Sequence, residues 1–462
     1  MRILGFGGNQ LAAAGGYNVD NSLRFNDGST DYLNHTHNAV TSTRKQTFSV
    51  WVKRSHLTSY MYIISTKNGT GTNRDGIAFS GSDQIDIRYN AGATSPIRLT
   101  TNRVFRDVSA WYHIVVAVDT TQGTASNRIK LYVNGVQETS FATSDYMDQD
   151  YDFALNAKTD QVTGIGVDGR IDGSSLFDGY MSEFVAIDNQ QLDATSFGEF
   201  DEDTGIWKPI DVSGLTFGSA GFYLPFENSG ALGQDDSGNG NNFTVNNLTS
   251  IDQTTDTPTN NFCTLNAIVE GQSNVTYSEG NLKASESAGD LPSAKGTIAV
   301  SSGKWYWEGL LLGGNGAIAI GTDDMDASSY PHNSSTSGDG WTYHYDGSGR
   351  TSTGSNITIG STYTTNDIIG VALDMDSGTC KFYKNGTEQT TGSWSGLNAY
   401  GSILPAFYLD SITWFANFGQ EGSFGGNVTA QGNADGNGFG DFYYAPPSGY
   451  YALNTKNLAE YG

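Results

Sequence analysis

Cations are scarce in this chain. Its 462 residues carry 24 Lys and Arg against 49 Asp and Glu, a formal net charge of −25, with no basic run to offset it. A broad phosphate-binding face needs clustered Lys and Arg, so nucleic acid is not expected as a partner. An anionic membrane surface would repel the chain. Cysteine is scarcer still: Cys263 and Cys380 alone cannot make a disulfide framework and read as small, reduced apolar residues. No run of 18 apolar residues occurs, so membrane insertion is not expected. Also missing are an amphipathic helical stretch of twelve residues, a Gly-x-Ser-x-Gly elbow, a His-Glu-x-x-His pair and a phosphate loop. Residues 1–14 hold one cation, a short apolar stretch and an Ala-rich end, but Gly5, Gly7, Gly8, Asn9 and Gln10 break the apolar core that a signal peptide needs. Residues 1–16 therefore read as a flexible, Gly/Ala-rich docking segment.

Glycine and aromatics are plentiful, with 59 Gly, 8 Trp, 25 Tyr and 23 Phe, while only 16% of residues are charged. Such a chain can bury real cores, and its polarity comes from Gly, Ser, Thr, Asn and Asp, which favours strands and turns over helices. Period-2 alternation dominates. Phe48, Val50 and Val52 share one strand face, as do Tyr112, Ile114, Val116 and Val118. The other face of the second strand is also largely apolar, which predicts a central strand covered on both sides. Ile129, Leu131 and Val133 then lead into Asn134-Gly135, the strongest short hairpin signal, because a type I′ turn needs positive φ at both central residues. The same order returns at Ile368, with Phe382-Tyr-Lys-Asn-Gly386 echoing Leu131-Tyr-Val-Asn-Gly135. That interval is too long for a solenoid and suggests two sandwiches of related design. Asp252-Gln-Thr-Thr-Asp-Thr-Pro-Thr-Asn-Asn261 is a polar, turn-rich connector. The last residues, from Phe418 on, are expected to lie as an extended strap over the second sandwich.

In the first half, Thr47-Phe-Ser-Val-Trp-Val-Lys53, Trp111-Tyr-His-Ile-Val-Val-Ala-Val118, Ile129-Lys-Leu-Tyr-Val-Asn-Gly135 and Phe177-Asp-Gly-Tyr-Met-Ser-Glu-Phe184 resemble the concanavalin A-like superfamily in its laminin-G-like form. In the second, Gly303-Lys-Trp-Tyr-Trp-Glu308, Ala317-Ile-Ala-Ile-Gly321, Asp367-Ile-Ile-Gly-Val-Ala-Leu-Asp374, Lys381-Phe-Tyr-Lys-Asn-Gly386 and Leu404-Pro-Ala-Phe407 resemble an SPRY domain. Three further segments are similar to structural proteins of tailed bacteriophages. They are Ser196-Phe-Gly-Glu-Phe-Asp-Glu-Asp-Thr-Gly-Ile-Trp-Lys-Pro209, Thr257-Pro-Thr-Asn-Asn-Phe-Cys-Thr-Leu-Asn266 and Gly440-Asp-Phe-Tyr-Tyr-Ala-Pro-Pro447. The resemblance implies a phage virion protein.

Some relatives in the first superfamily cleave β-glucans with a Glu-x-Asp-x-x-Glu strand, where inward carboxylates can act as nucleophile and acid/base. The nearest match here, Glu199-Phe-Asp201, has Thr204 at the third position and sits in a turn-like stretch; no enzyme is expected. Hard oxygen ligands for Ca²⁺ are offered by Asp235, Asp236, Asn239 and Asn241, and secondarily by Asp323, Asp324 and Asp326, though neither set has EF-hand spacing and both suit Asp/Asn/Gly turns. No other cofactor is expected. His35 and His37 can share a strand face but read as polar residues beside solvent. For carbohydrate, which needs aromatic faces, Trp341, Tyr343 and Tyr345 alternate on one strand face and Trp394 lies between glycines and serines. The first three also fit a core strand, whereas Trp394 is expected to be exposed in a loop. Trp305 and Trp307 are expected as core and cover.

The expected fold class is all-β: two tandem antiparallel β-sandwiches, jelly-roll in type, concanavalin A-like over residues 17–262 and SPRY-like over 263–462, after the flexible N-terminal segment. The expected function is a phage tail fibre or appendage adhesin on the virion exterior, binding host surface polysaccharide non-covalently beside other virion proteins, as a homo-oligomer and by preference a trimer. The alternatives are a capsid decoration with no ligand and, less favoured, a glycan depolymerase.

Overall fold

The computed structural model describes residues 16–67, 74–89, 97–269, 274–289, 291–328, 339–351 and 356–462. The expected N-terminal docking segment, up to residue 15, lies outside them. The chain divides into two compact units, which part between Thr259 and Asn260. The division falls within the polar connector 252–261. Asn261 already belongs to the second unit, where its N–H donates to Thr455 Oγ1 at 2.9 Å and Phe262 is buried among Tyr306, Phe442 and Ala452.

Two eight-stranded antiparallel sheets build the first unit. One sheet centres on Trp111–Asp119, Lys45–Arg54 and Gly179–Asp188; the other runs Phe141–Asp145, Ile97–Val104, Gln84–Tyr89, Arg74–Phe79, Met61–Lys67, Thr163–Ile165, Tyr32–His35 and Thr244–Asn246. The alternating apolar residues seen in the sequence meet between them: Phe48, Val50, Ile114 and Val116 from one sheet pack on Ile77, Phe79, Ile85, Ile87 and Leu99 from the other. Trp111–Asp119 is central and buried along its whole length, as its two apolar faces require. Its second face, with Trp111 and Val115, is covered by Phe197, Trp207, Val212, Phe217 and Tyr223 from the stretch after the sandwich strands.

A nine-stranded and a six-stranded sheet form the second unit around Trp305, Trp307, Ile318, Ile320, Tyr343, Phe382 and Trp414. Trp305 and Trp307, two residues apart, both point into this core; Tyr306 takes the opposite face against Phe442. The C-terminal stretch does not stay extended throughout. It supplies Tyr451–Ala452, parallel to Lys304–Leu311, and the helix Thr455–Tyr461, whose Asn454 cap accepts from Asn457 N–H at 2.9 Å. Glu308, wholly buried, fastens the segment before it by accepting from the N–H groups of Tyr443 and Tyr444, both at 2.8 Å. Among the described residues no helix is long and apolar enough to cross a membrane.

The internal echo is structural. Asn134 and Gly135 have φ of 48° and 79°, Asn385 and Gly386 47° and 76°, the pair of positive values of a type I′ turn. In each unit the Asn side chain also accepts from a backbone N–H of the strand opposite: His113 N–H at 2.7 Å, Ile368 N–H at 2.9 Å. Each Gly lies under an aromatic ring, so that a Cβ would stand 2.3 Å from Trp207 or 2.7 Å from Tyr444. Only Gly satisfies both the backbone and the ring.

Candidate functional site

The aromatic row expected to touch sugar turns inward. Trp341 and Tyr343 face the core of the second unit at 6% and 0% exposure, and Tyr345 packs against the same cluster. Trp394 is 7% exposed and its Nε1–H donates to the Thr342 carbonyl at 3.2 Å. Trp341 meets Tyr400 edge-on at 4.7 Å. None of the buried rings offers a stacking face, so Trp341→Ala would report on folding rather than on ligand contact.

The calcium loop is a knot of its own hydrogen bonds. Asp235 is buried and accepts from Tyr223 N–H, Ser237 N–H, Ser237 Oγ–H and Asn241 N–H at 2.8–2.9 Å. Asn239 and Asn241 turn their amide N–H groups to the Gly221 carbonyl, at 2.9 and 2.8 Å, and Asp236 accepts from Gln234 Nε2–H at 2.7 Å. These side chains shape the turn and do not converge on a cation. In the second set, Lys295 Nζ donates to the Asp323 carbonyl at 3.1 Å, and Asp323, Asp324 and Asp326 all act on its ammonium. A lysine thus fills the role assigned to a metal. Among the described residues, Asp27, His56 and Asp178 bring ligand atoms within 4.8 Å of one another; their hydrogen bond lowers Asp27 and raises His56, the signature of an ion pair.

Acid–base and nucleophile candidates are also accounted for. Glu199 and Asp201 sit at a small hairpin, Gly198–Phe200 with Trp207–Pro209. Asp201 accepts from Thr204 N–H and Lys208 Nζ, which pull it down to about 2. Ser49 Oγ lies 2.8 Å from His113 Nε2, the spacing of a nucleophile–base pair. Yet Trp207 Nε1–H donates to His113 Nδ1 at 2.9 Å, so the ring proton must reside on Nε2 and point at Ser49. Burial pushes His113 down to about 3 and keeps it neutral. A base that already carries its proton toward the serine cannot take another. His37 is buried likewise and pushed down to about 4, with Nε2 2.5 Å from Asn156 Oδ1, and its ring lies 4.7 Å from that of His35.

A small basic face exists, well short of the broad one that phosphate binding needs. It lies on the outer side of the second sheet of the first unit, where Arg74, Arg88 and Arg98 come from adjacent strands and Arg170 from the loop after Thr163–Ile165. Because side chains alternate, Ile77, Ile87 and Leu99 enter the core while the arginines face outward. Two wholly buried carboxylates hold them. Asp86 accepts from Arg88 Nε at 2.6 Å, Arg98 Nε at 2.7 Å, Thr100 Oγ1 at 2.8 Å and Tyr60 Oη at 2.8 Å. Asp168 forms an ion pair with Arg74, whose Nε stands 2.7 Å away and donates its N–H to Tyr62 Oη at 2.8 Å, and it accepts from Arg170 Nε at 3.1 Å. The two clusters join through Tyr60 and Tyr62, whose rings are 5.2 Å apart, with Arg88 5.0 Å over the first and Arg74 5.7 Å over the second. Burial would raise Asp86, but Arg98, Arg88, Thr100 and Tyr60 outweigh it and hold the carboxyl below its ordinary value. The four arginine side chains keep 25–35% of their surface in solvent while both aspartate side chains have none. No run of cations marks this face in sequence. The signal available was i, i+2 pairing: Tyr60-x-Tyr62, Asp86-x-Arg88, Arg98-x-Thr100.

With the geometry in place, the comparisons identify the scaffold. Residues 27–193 match the family model of the concanavalin A-like lectin/glucanases superfamily, and residues 304–421 that of the SPRY domain. The chain carries a concanavalin A-like domain and a SPRY domain in tandem. No curated protein matches it. Similar solved structures include the SPRY domain of human HERC1, 18% identical over 31% of this chain and 91% of that one, with a TM-score of 0.26. The TRIM65 PSpry domain is 12% identical over 34% and 91%, with a TM-score of 0.27. Stonustoxin is 22% identical over 33% of this chain and 26% of that one, with a TM-score of 0.27.

The arginine–tyrosine face belongs to the concanavalin A-like domain, within its matched span. Two stretches beyond the matched spans act as covers. Phe197, Trp207 and Phe217 close the outer face of one concanavalin A-like sheet, and Phe442 covers Tyr306 of the SPRY domain.

Proposed function

We propose that this protein is an appendage on a tailed-phage virion that binds host surface polysaccharide without covalent chemistry. The observation that carries the reading is the arginine–tyrosine face: rigid strands present guanidinium forks, with half-buried Tyr60 among them, over a row of neighbouring strands. Such forks and rings recognise sugar hydroxyl and carboxyl groups and exposed C–H faces. The domain pairing suits a binding role. The inverted Ser49–His113 pair and the turn-bound Asp201 favour holding over cutting. A virion setting is supported by the phage-like segments 196–209, 257–266 and 440–447, all of which lie outside the two matched spans. Single sugar contacts are weak, so the reading includes several copies, as in a closed homotrimer alongside other virion proteins.

Full-length protein is expected to be retained on host cells and by a subset of an array of bacterial surface glycans. Folded protein that neither cells nor array retain would instead be a capsid decoration.

A further inference from the structure

The register of the outer face contains an arrangement that costs stability. Arg88 stands directly opposite Arg98, and Lys67 directly opposite Arg74, on neighbouring antiparallel strands. Like charges at directly opposed positions repel, and this chain has only 24 cations to place. Four of those cations form two such pairs on one face. Arg170 adds a fifth beside Arg74, sharing Asp168 with it. Buried Asp86 and Asp168 hold the guanidinium groups in position and compensate part of the repulsion from beneath. At the margins stand two exposed carboxylates: Asp145, opposite Arg98, and Asp172, 3.3 Å from Arg170. Between these margins, the charges that reach solvent are positive.

On the proposal that the protein binds glycan, we infer that the ligand of this face is an acidic polysaccharide whose sugars carry carboxylate groups. Two arguments lead there. Asp86 takes Nε–H of Arg88 and one edge, Nε–H and Nη2–H, of Arg98; each guanidinium is thereby fixed, and its remaining N–H groups lie in one plane, which suits a second carboxylate better than a hydroxyl. Arg98, Arg88 and Arg74 also lie on three successive strands, spaced about 4.8 Å apart. Arg98 and Arg88 face each other directly, while Gly76 stands opposite Arg88 on the next strand and Arg74 follows two residues along, so an extended pyranose chain crossing the strands obliquely meets one cation after another. Tyr60, stacked under Arg88, supplies an apolar edge for the ring between charged groups. The net charge of −25 works against long-range attraction, so capture depends on contacts within a Debye length of about 8–10 Å.

The test uses full-length protein with polygalacturonate, the same polymer after chemical reduction of its carboxyl groups, and neutral dextran, read by affinity electrophoresis and calorimetry. Polygalacturonate is expected to bind, with at least tenfold loss on carboxyl reduction and weakening as salt rises. Arg88→Gln and Arg170→Gln each leave one arginine on the buried aspartate, so the fold should hold, as an unchanged melting curve would confirm. Each should weaken binding about tenfold. Equal binding of the reduced polymer would overturn the inference, as would a folded Arg88→Gln/Arg170→Gln protein that binds like the parent. Retention of neutral glycans alone on the array would remove the acidic ligand but leave glycan binding standing. Retention of no glycan at all would remove both.

Discussion

Replacing Lys53 by Met is expected to destabilise the concanavalin A-like domain by about 3–5 kcal/mol, the usual effect of leaving one partner of a buried ion pair alone. Lys53 Nζ lies 2.7 Å from Asp256 Oδ2, and both side chains are shut off from water. The other carboxylate oxygen accepts from Trp111 Nε1 at 3.1 Å, and Ser22 Oγ–H donates to the Asp256 carbonyl at 2.6 Å. One residue therefore ties the end of the domain to a central strand, to the outer aromatic layer and to the strand Ser22–Phe25. Met keeps most of the lysine stem but strands the carboxylate. In urea titrations of the whole chain, followed by hydrogen exchange on peptides from residues 13–259, the transition should move to much lower denaturant. The SPRY peptides should stay where they were. The double change Lys53→Met/Asp256→Leu should recover most of the loss, because a dry apolar pair has no charge to compensate. A single change costing less than about 1 kcal/mol would show that water reaches the pair.

Glu308→Ala is expected to loosen the C-terminal cover of the SPRY domain. It removes the acceptor for Tyr443 N–H and Tyr444 N–H, and for Tyr306 Oη–H at 3.1 Å. Each buried donor left without a partner costs about 1–3 kcal/mol, so the combined loss should reach several. The exchange of Tyr443 and Tyr444 amides should accelerate first. The same carboxyl gives a pH signature. Burial, partly offset by those N–H groups, pushes Glu308 up to about 7, from 4.5. The folded domain then holds more protons than the unfolded chain between those values, so its stability falls as pH rises from about 4.5 to 7 and levels off above. The expected drop is at most about 3 kcal/mol. Glu308→Gln, with no proton to lose, should flatten this slope. A slope that survives in Glu308→Gln would place its origin elsewhere.

What the sequence disclosed and what it hid follow from one property of strands. Alternation says which side chains share a face; it does not say which face is dry. For Trp111–Asp119 both faces were apolar, so burial on both sides was the one solution. The two Asn-Gly turns were equally legible, since positive φ at consecutive positions restricts residue choice. Trp341, Tyr343 and Tyr345 share a face by their spacing, but only the packing of Tyr343 against Phe382 and Tyr363 shows that the face is internal. Asp235, Asn239 and Asn241 have the same composition whether they ligate calcium or brace a turn, and the difference lies in where their N–H and C=O partners stand. Arg74, Arg88, Arg98 and Arg170 were hidden most deeply. They are spread over nearly a hundred residues, and strand register, which turns and bulges set, decides that two of them stand opposite each other.

The central claim is that rigid strands hold a polysaccharide and leave it whole. Its most direct test is the molar mass of an acidic polysaccharide, followed by light scattering on a sizing column after prolonged incubation with full-length protein. The account predicts that protein elutes with the polymer and that the recovered polymer keeps its original mass. Progressive shortening of the chain, or protein that elutes alone in low salt, would contradict it.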